Sequence, residues 1–173
     1  SELWDIVVIG GGATGAGSAL DAASRGLSVL LLEQDDFGKG TSSRSTKLIH
    51  GGVRYIRHGN ISLVREALKE RSLLLKNAPH VVHTQAFVIP CYGLWQRFFY
   101  GVGMKLYDLL AGKHRIGKSR RLSRSETAEH LPSIKARGLV GGVLYHDGQF
   151  DDTRLLIDIL RTAVSHGAAV LNY

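Results

Sequence analysis

The chain has 173 residues, 44% hydrophobic and 21% charged, a composition that excludes a disordered, collagenous or disulfide-stapled polypeptide and predicts a globular domain. Glycine supplies 21 residues, well above the ~7% of average usage, so some part of the chain needs backbone freedom or close backbone approach to a ligand. The net charge is +7, but Lys113, Arg115, Lys118, Arg120, Arg121 and Arg124 crowd into one acid-free stretch and leave sixteen cations against fifteen acids elsewhere, so the basicity belongs to one segment.

Residues 4–9 form a short apolar, β-branched run of the kind a fully buried parallel strand requires. A glycine cluster follows, and Ala13, Ala16, Leu20 and Ala23 then recur at helical spacing up to Gly26, a residue suited to a helix C-terminus. Residues 28–32 read as a second buried strand, which completes a βαβ unit with a parallel sheet. After a polar loop over residues 34–45, Asn60 caps a helix over residues 61–76 with Val64, Leu68 and Leu75 on one face, ended by Pro79. Residues 86–90 predict a strand, and residues 95–111 an amphipathic helix with Phe98, Val102, Leu106 and Leu109 on its apolar side.

Ser123 and Glu126 make a capping box that opens a short helix stopping at Pro132. Residues 142–150 place Asp147-Gly148 between Val143-Leu144-Tyr145 and Phe150, which predicts a tight hairpin. Asp152 is expected to cap a helix bearing Leu155, Leu156, Ile159, Leu160 and Ala163, followed by Gly167 and a strand over residues 168–171. Residues 1–78 and 151–173 are thus read as parts of one α/β domain, with residues 79–150 inserted between them. The last strand reaches the end of the sequence, so the chain is expected to be truncated, a fragment of a longer protein.

The strongest chemical signal is Gly10-Gly11-Gly12-Ala13-Thr14-Gly15, a G-x-G-x-x-G between strand and helix. The first glycine permits the tight turn, the second admits a pyrophosphate to the backbone, and the third lets helix and strand pack closely. Glu33 follows about 20 residues later at the end of the second strand, where a carboxylate accepts from adenosine ribose hydroxyls and disfavours a 2′-phosphate. The fingerprint leaves NAD and FAD open.

Residues 41–55 gather hydroxyls, cations, His50 and the pair Gly51-Gly52 just after the second strand, at the carboxyl edge where open α/β sheets bind ligands. By composition alone this stretch reads equally as a polar basic loop.

Taken together, Asp5-Ile6-Val7-Val8-Ile9 with the glycine run, Asp21, Arg25-Gly26 and Glu33, then Ser42-Ser43, Lys47-Leu48-Ile49-His50-Gly51-Gly52 and Arg54-Tyr55, resemble the flavin fingerprint and following segment of FAD-dependent glycerol-3-phosphate dehydrogenases. Glu66-Ala67-Leu68, Glu70-Arg71, Ala78-Pro79-His80, Asp151-Asp152 and Arg154-Leu155 are similar to that family as well. The resemblance implies a Rossmann-like FAD-binding domain (residues 1–78 and 151–173) with an inserted substrate or cap region containing antiparallel strands (residues 79–150). It implies oxidation of sn-glycerol 3-phosphate to dihydroxyacetone phosphate, with FAD as hydride acceptor and quinone, or in some relatives oxygen, as the next carrier.

On the same footing, Gly10, Gly11, Gly12, Ala13, Thr14, Gly15 and Glu33 would hold the ADP half of FAD, while Thr41, Ser42, Ser45, Lys47 and Leu48 would line its ribityl chain and ring. His50, Arg54 and Tyr55 would stand near flavin and substrate, His50 moving or orienting the hydroxyl proton and Arg54 neutralising phosphate or developing charge. The segments that relatives use downstream lie outside these residues, so activity is assigned to the parent protein.

The remaining features are weaker. His80 and His83 lack the companions of a metal site, and nothing around Cys91 suggests a nucleophile. One cysteine forms no internal disulfide, no run of about 20 uncharged apolar residues spans a bilayer, and the first residues lack a secretory pattern, so a cytoplasmic location is expected. Residues 95–124 read either as a core helix followed by a solvated basic loop or as a seat on an anionic membrane surface, which would place the protein peripherally on the cytoplasmic face of the inner membrane. Nucleic acid is not expected, because no aromatic-interleaved recognition motif accompanies the cations. Alternatives are a related FAD oxidoreductase for another phosphorylated polyol, a hydroxy acid or an amino acid, and a non-catalytic basic binding module.

Overall fold

A computed structural model describes residues 3–52 and 60–173. Its elements begin with β1 (Ile6–Ile9), α1 (Ala13–Ser24), β2 (Val29–Glu33), β3 (Leu48–Ile49), α2 (Ile61–Asn77) and β4 (Val82–Cys91). They continue with α3 (Leu94–Ala111), β5 (Arg120–Leu122), α4 (Arg124–His130), β6 (Gly141–Phe150), α5 (Asp152–Ser165) and β7 (Ala169–Asn172). The chain divides into two compact units, Ser1–Lys47 with Phe150–Tyr173, and Leu48–Gln149.

The first unit holds a parallel sheet in the order β1-β2-β7, with Ile6 opposite Val29 and Leu30 opposite Ala169. One face of it packs on α1 and α5 through Val29, Leu31, Ala16, Ala19, Ala23, Leu156, Leu160 and Ala163. The alanine stripe brings α1 close to its neighbours, while the buried leucines each contribute about 1.5–3 kcal/mol of transfer free energy. β1 differs from the fully buried strand predicted for residues 4–9: Ile6 and Val8 meet the core, but Val7 and Ile9 remain exposed among the described residues, because α1 and α5 cover only one face. α5 is capped by Asp151, whose side chain accepts from the Arg154 amide, and not by Asp152, whose carboxylate is committed elsewhere.

In the second unit β6 lies between β3 and β4 and also pairs with β5, its ladders to β3 and β5 being antiparallel. α2 and α3 bury Val64, Leu68, Met104, Tyr107 and Ala111 against Cys91 and Val143. Asn60 caps α2, and Ser123 with Glu126 forms the expected capping box at α4.

Asp147-Gly148 is not a hairpin turn: β6 runs unbroken through it, Asp147 is buried in an ion pair with Arg71, and a Cβ on Gly148 would stand 3.1 Å from the Ile49 carbonyl oxygen, so glycine serves close strand approach. The unit boundary falls after Lys47 and not after residue 78, because α2 shares a core with α3. α3 buries Gly101, Met104, Tyr107 and Ala111, whereas Phe98, Val102, Leu106 and Leu109, expected on its apolar side, form an exposed face and not the packed one. The helix is apolar nearly all round, so periodicity alone does not select the packed face.

Candidate functional site

In the first unit β1 runs into a glycine turn before α1. Gly10 has φ of 111°, and a Cβ on Gly15 would stand 1.9 Å from the Gly10 carbonyl oxygen, so neither position accepts a side chain without opening the turn. Gly12, at the N-terminus of α1, has no side-chain cap of its own; Ser42 Oγ accepts instead from the Ala13 amide at 2.9 Å. Glu33 closes β2 with one oxygen accepting from the Gly11 amide at 2.7 Å and the other from the Asp35 amide at 2.9 Å. The Asp35 and Gly11 amides hold the Glu33 carboxyl below its ordinary pKa.

These groups border a cleft of about 470 Å³ lined by Gly12, Glu33, Gly38, Thr41, Ser42 and Arg44 among others. Gly38, which the sequence reading passed over, is required there: its φ is 72° and a Cβ would meet Leu156 Cδ2 at 2.4 Å. Of the sequence-predicted cofactor residues, Gly12, Glu33, Thr41 and Ser42 share this cleft, and Gly10, Gly11, Ala13, Thr14 and Gly15 build the turn and helix start beside it.

Ser45 and Lys47 are brought together around Asp152, the residue expected from the sequence to cap α5. Its buried carboxylate accepts from the Ser45 amide at 3.2 Å, the Ser45 hydroxyl at 2.8 Å and the Lys47 ammonium. Lys47 pairing, then the Ser45 bonds, hold the Asp152 carboxyl far below the usual carboxylate range despite its burial. Lys47 adopts φ of 57°, a left-handed backbone uncommon outside glycine and maintained here by these contacts. Leu48 pairs with Gln149 in the β3–β6 ladder of the second unit.

The second unit holds His50, exposed, whose Nδ1 accepts from the Gly52 amide at 3.2 Å. With Nδ1 accepting, the neutral ring carries its proton on Nε2. The preceding Gly51 amide donates at 2.7 Å to the Tyr107 hydroxyl, and a Cβ on Gly51 would lie 2.5 Å from both that hydroxyl and Leu68 Cδ2. Tyr107 donates to Asp147 Oδ1 at 2.8 Å, and Arg71 Nη1 donates to the same oxygen at 2.6 Å. Burial, and then the Asp147 carboxylate, push the Tyr107 phenol far above its ordinary pKa. Arg54 and Tyr55 lie outside the described residues. Among the described residues no three His, Cys, Asp or Glu side chains gather as metal ligands.

A parallel sheet whose first strand enters a helix through an obligatory glycine cradle, with a carboxylate closing the second strand beside a polar cleft, defines a Rossmann-type dinucleotide-binding protein. The chain belongs to the FAD dependent oxidoreductase (DAO) family, which it matches over residues 5–173. The cradle fits the ADP half of FAD: the glycines leave room for a pyrophosphate, and the Glu33 oxygens retain free lone pairs for ribose hydroxyls.

The chain is 51% identical to the mitochondrial glycerol-3-phosphate dehydrogenase of Macaca fascicularis, covering 98% of this chain and 24% of that protein. It is 48% identical to the mitochondrial glycerol-3-phosphate dehydrogenase of Saccharomyces cerevisiae, covering 100% and 28%. The crystal structure of glycerol-3-phosphate dehydrogenase from Bacillus halodurans complexed with FAD superposes with a TM-score of 0.71 at 36% identity, over 100% of this chain and 27% of that one. The chain thus spans about a quarter of the length of the curated relatives it matches.

Proposed function

We propose that this chain is the cofactor-binding part of an FAD-dependent dehydrogenase that oxidises sn-glycerol 3-phosphate to dihydroxyacetone phosphate. The observation that carries the reading is sequence identity of about half with glycerol-3-phosphate dehydrogenases across almost the whole chain, spanning the glycine cradle and the His50-Gly51-Gly52 turn. FAD supplies the acceptor for the two electrons and hydrogen leaving the substrate carbinol. Gly10 forms the turn, Gly12 lets the backbone approach the pyrophosphate, Gly15 lets α1 pack against the turn, the α1 N-terminus contributes its positive dipole end, and Glu33 accepts from the ribose. Thr41, Ser42, Ser45, Lys47 and Leu48 hold the ribityl chain and ring, Ser45 and Lys47 being steadied by Asp152. His50 orients the substrate hydroxyl, while Arg54, with Tyr55 beside it, neutralises the phosphate.

Electrons then pass to a quinone from a protein seated peripherally on an anionic membrane. Among the described residues no helix is long and apolar enough to cross one. What supports a surface seat is the exposed apolar side of α3 beside the cations of residues 113–124, with Arg121 stacked over Phe98 at 5.6 Å.

The deciding experiment is a visible spectrum of the full-length protein before and after anaerobic addition of sn-glycerol 3-phosphate. Bleaching of bound flavin is expected. Flavin that stays oxidised with this substrate but bleaches with another polyol phosphate, a hydroxy acid or an amino acid would replace the substrate and keep the family.

A further inference from the structure

Tyr107, Asp147 and Arg71 come from three elements, α3, β6 and α2, and all three are almost fully buried. The direction of every hydrogen bond between them is fixed by chemistry. Arg71 has donors only, and its ion pair keeps Asp147 an acceptor, so the Tyr107 hydroxyl gives its single proton to Asp147 and turns a lone pair toward the Gly51 amide. Arg71 is itself held by the His146 carbonyl at 3.4 Å and the His114 carbonyl at 3.3 Å, and its cation lies 5.7 Å from the centre of the Tyr107 ring. Buried polar chains of this kind are costly where unsatisfied, as at Arg71 Nε, which has no hydrogen-bond partner among the described residues, and the Tyr107 end of this one reaches a backbone amide next to His50.

We propose that Arg71, Asp147 and Tyr107 are positioning residues for the His50–Gly52 turn, holding the Gly51 amide so that the Gly52 amide stays on His50 Nδ1 and the ring presents Nε2–H as a donor. The consequence for chemistry rests on the reading of His50 as a substrate-orienting group: a ring fixed in this tautomer offers Nε2–H as a hydrogen-bond donor to the substrate oxygen. The close fit around Gly51 makes the anchor specific, since the turn has no room to slide past Leu68 or Tyr107 without losing the bond.

The test uses full-length flavoprotein, wild type and Tyr107→Phe, with hydrogen exchange resolved to the Gly51 amide and anaerobic flavin reduction followed in parallel. In wild type the Gly51 amide is expected to be strongly protected although it lies in neither helix nor sheet. Tyr107→Phe removes the acceptor, so exchange at Gly51 should rise at least about 10-fold while flavin content is retained. The limiting rate of flavin reduction should fall about 10–100-fold with the half-saturating substrate concentration within about threefold, as expected when orientation and not binding is lost. Asp147→Asn should reproduce the effect, and Arg71→Lys, which keeps a cation beside Asp147, should show less of it. An unprotected Gly51 amide in wild type overturns the proposal without any variant, which covers the case in which Tyr107→Phe fails to fold. Equal exchange and equal rates in wild type and variant overturn it as well, as does a loss of melting temperature that leaves the Gly51 amide unchanged. If wild-type flavin is not reduced by sn-glycerol 3-phosphate, the substrate reading fails while the exchange measurement still decides the positioning role.

Discussion

Asp152 gathers the Ser45 amide, the Ser45 hydroxyl and the Lys47 ammonium on one buried carboxylate, tying the loop after β2 to the first turn of α5. Lys47 is half exposed and can turn to water, so Asp152→Asn is expected to cost about 1.5–3 kcal/mol, the range for hydrogen bonds to a charged group. The folded carboxyl titrates far below its ordinary value because Lys47 and Ser45 bind the ionised form. The stabilisation is therefore complete above the unfolded carboxyl's pKa, about 3.9, and is lost as pH falls from there through the folded pKa. Denaturation midpoints of wild type and Asp152→Asn should stay equally far apart from about pH 7 to pH 5 and converge only in stronger acid; a gap already closing between those two values would contradict it. Glu33 and Ser42 were legible in the sequence, because strand-end and loop positions follow from local pattern. Asp152 as an anchor was not, since its partners lie more than a hundred residues away, and Arg71, Tyr107 and Asp147 meet only once three separate elements have folded together.

At the scale of elements, α3 shows what pattern reading leaves open. Its existence and near-exact span followed from hydrophobic pattern, but two apolar stripes compete on it, and the one carrying Met104, Tyr107 and Ala111 is the one packed in the core with Val64 and Leu68 of α2. The other stripe leaves Leu94, Trp95 and Leu109 exposed by 73%, 75% and 76%. An exposed apolar face flanked by cations should bind vesicles containing anionic lipid, more weakly as salt rises, because apolar insertion and headgroup attraction act together. Phe98→Glu with Leu109→Glu should abolish co-sedimentation of the full-length protein with such vesicles and leave its flavin content unchanged. Equally poor binding of wild type to anionic and neutral vesicles would remove the membrane seat. The Asp147-Gly148 pair misleads for a related reason: turn chemistry was the local preference, and burial of Asp147 against Arg71 overrode it.

For the whole molecule, the parallel βαβ layout was readable from hydrophobic period, whereas the antiparallel pairing of β6 with β3 and β5 and the unit boundary were not, since both depend on which segments meet once the chain has folded. The division concentrates the cofactor cradle in one unit, where Gly15 abuts the Gly10 carbonyl and the cleft is lined by backbone and short polar groups. A ligand that binds the folded cradle and not the unfolded chain raises stability by about 4 kcal/mol at a thousand times its dissociation constant. Full-length protein stripped of flavin should therefore melt several degrees lower than the flavoprotein and recover on titration with FAD, the midpoint climbing with the logarithm of free FAD. Gly15→Ala places a Cβ 1.9 Å from the Gly10 carbonyl oxygen, so the turn must open and the pyrophosphate seat is lost. That variant should be isolated without flavin, and its melting temperature should not respond to FAD at concentrations that saturate wild type. A Gly15→Ala protein that keeps its flavin and its FAD-dependent melting would show that the turn can widen around a Cβ at Gly15 without losing the pyrophosphate seat.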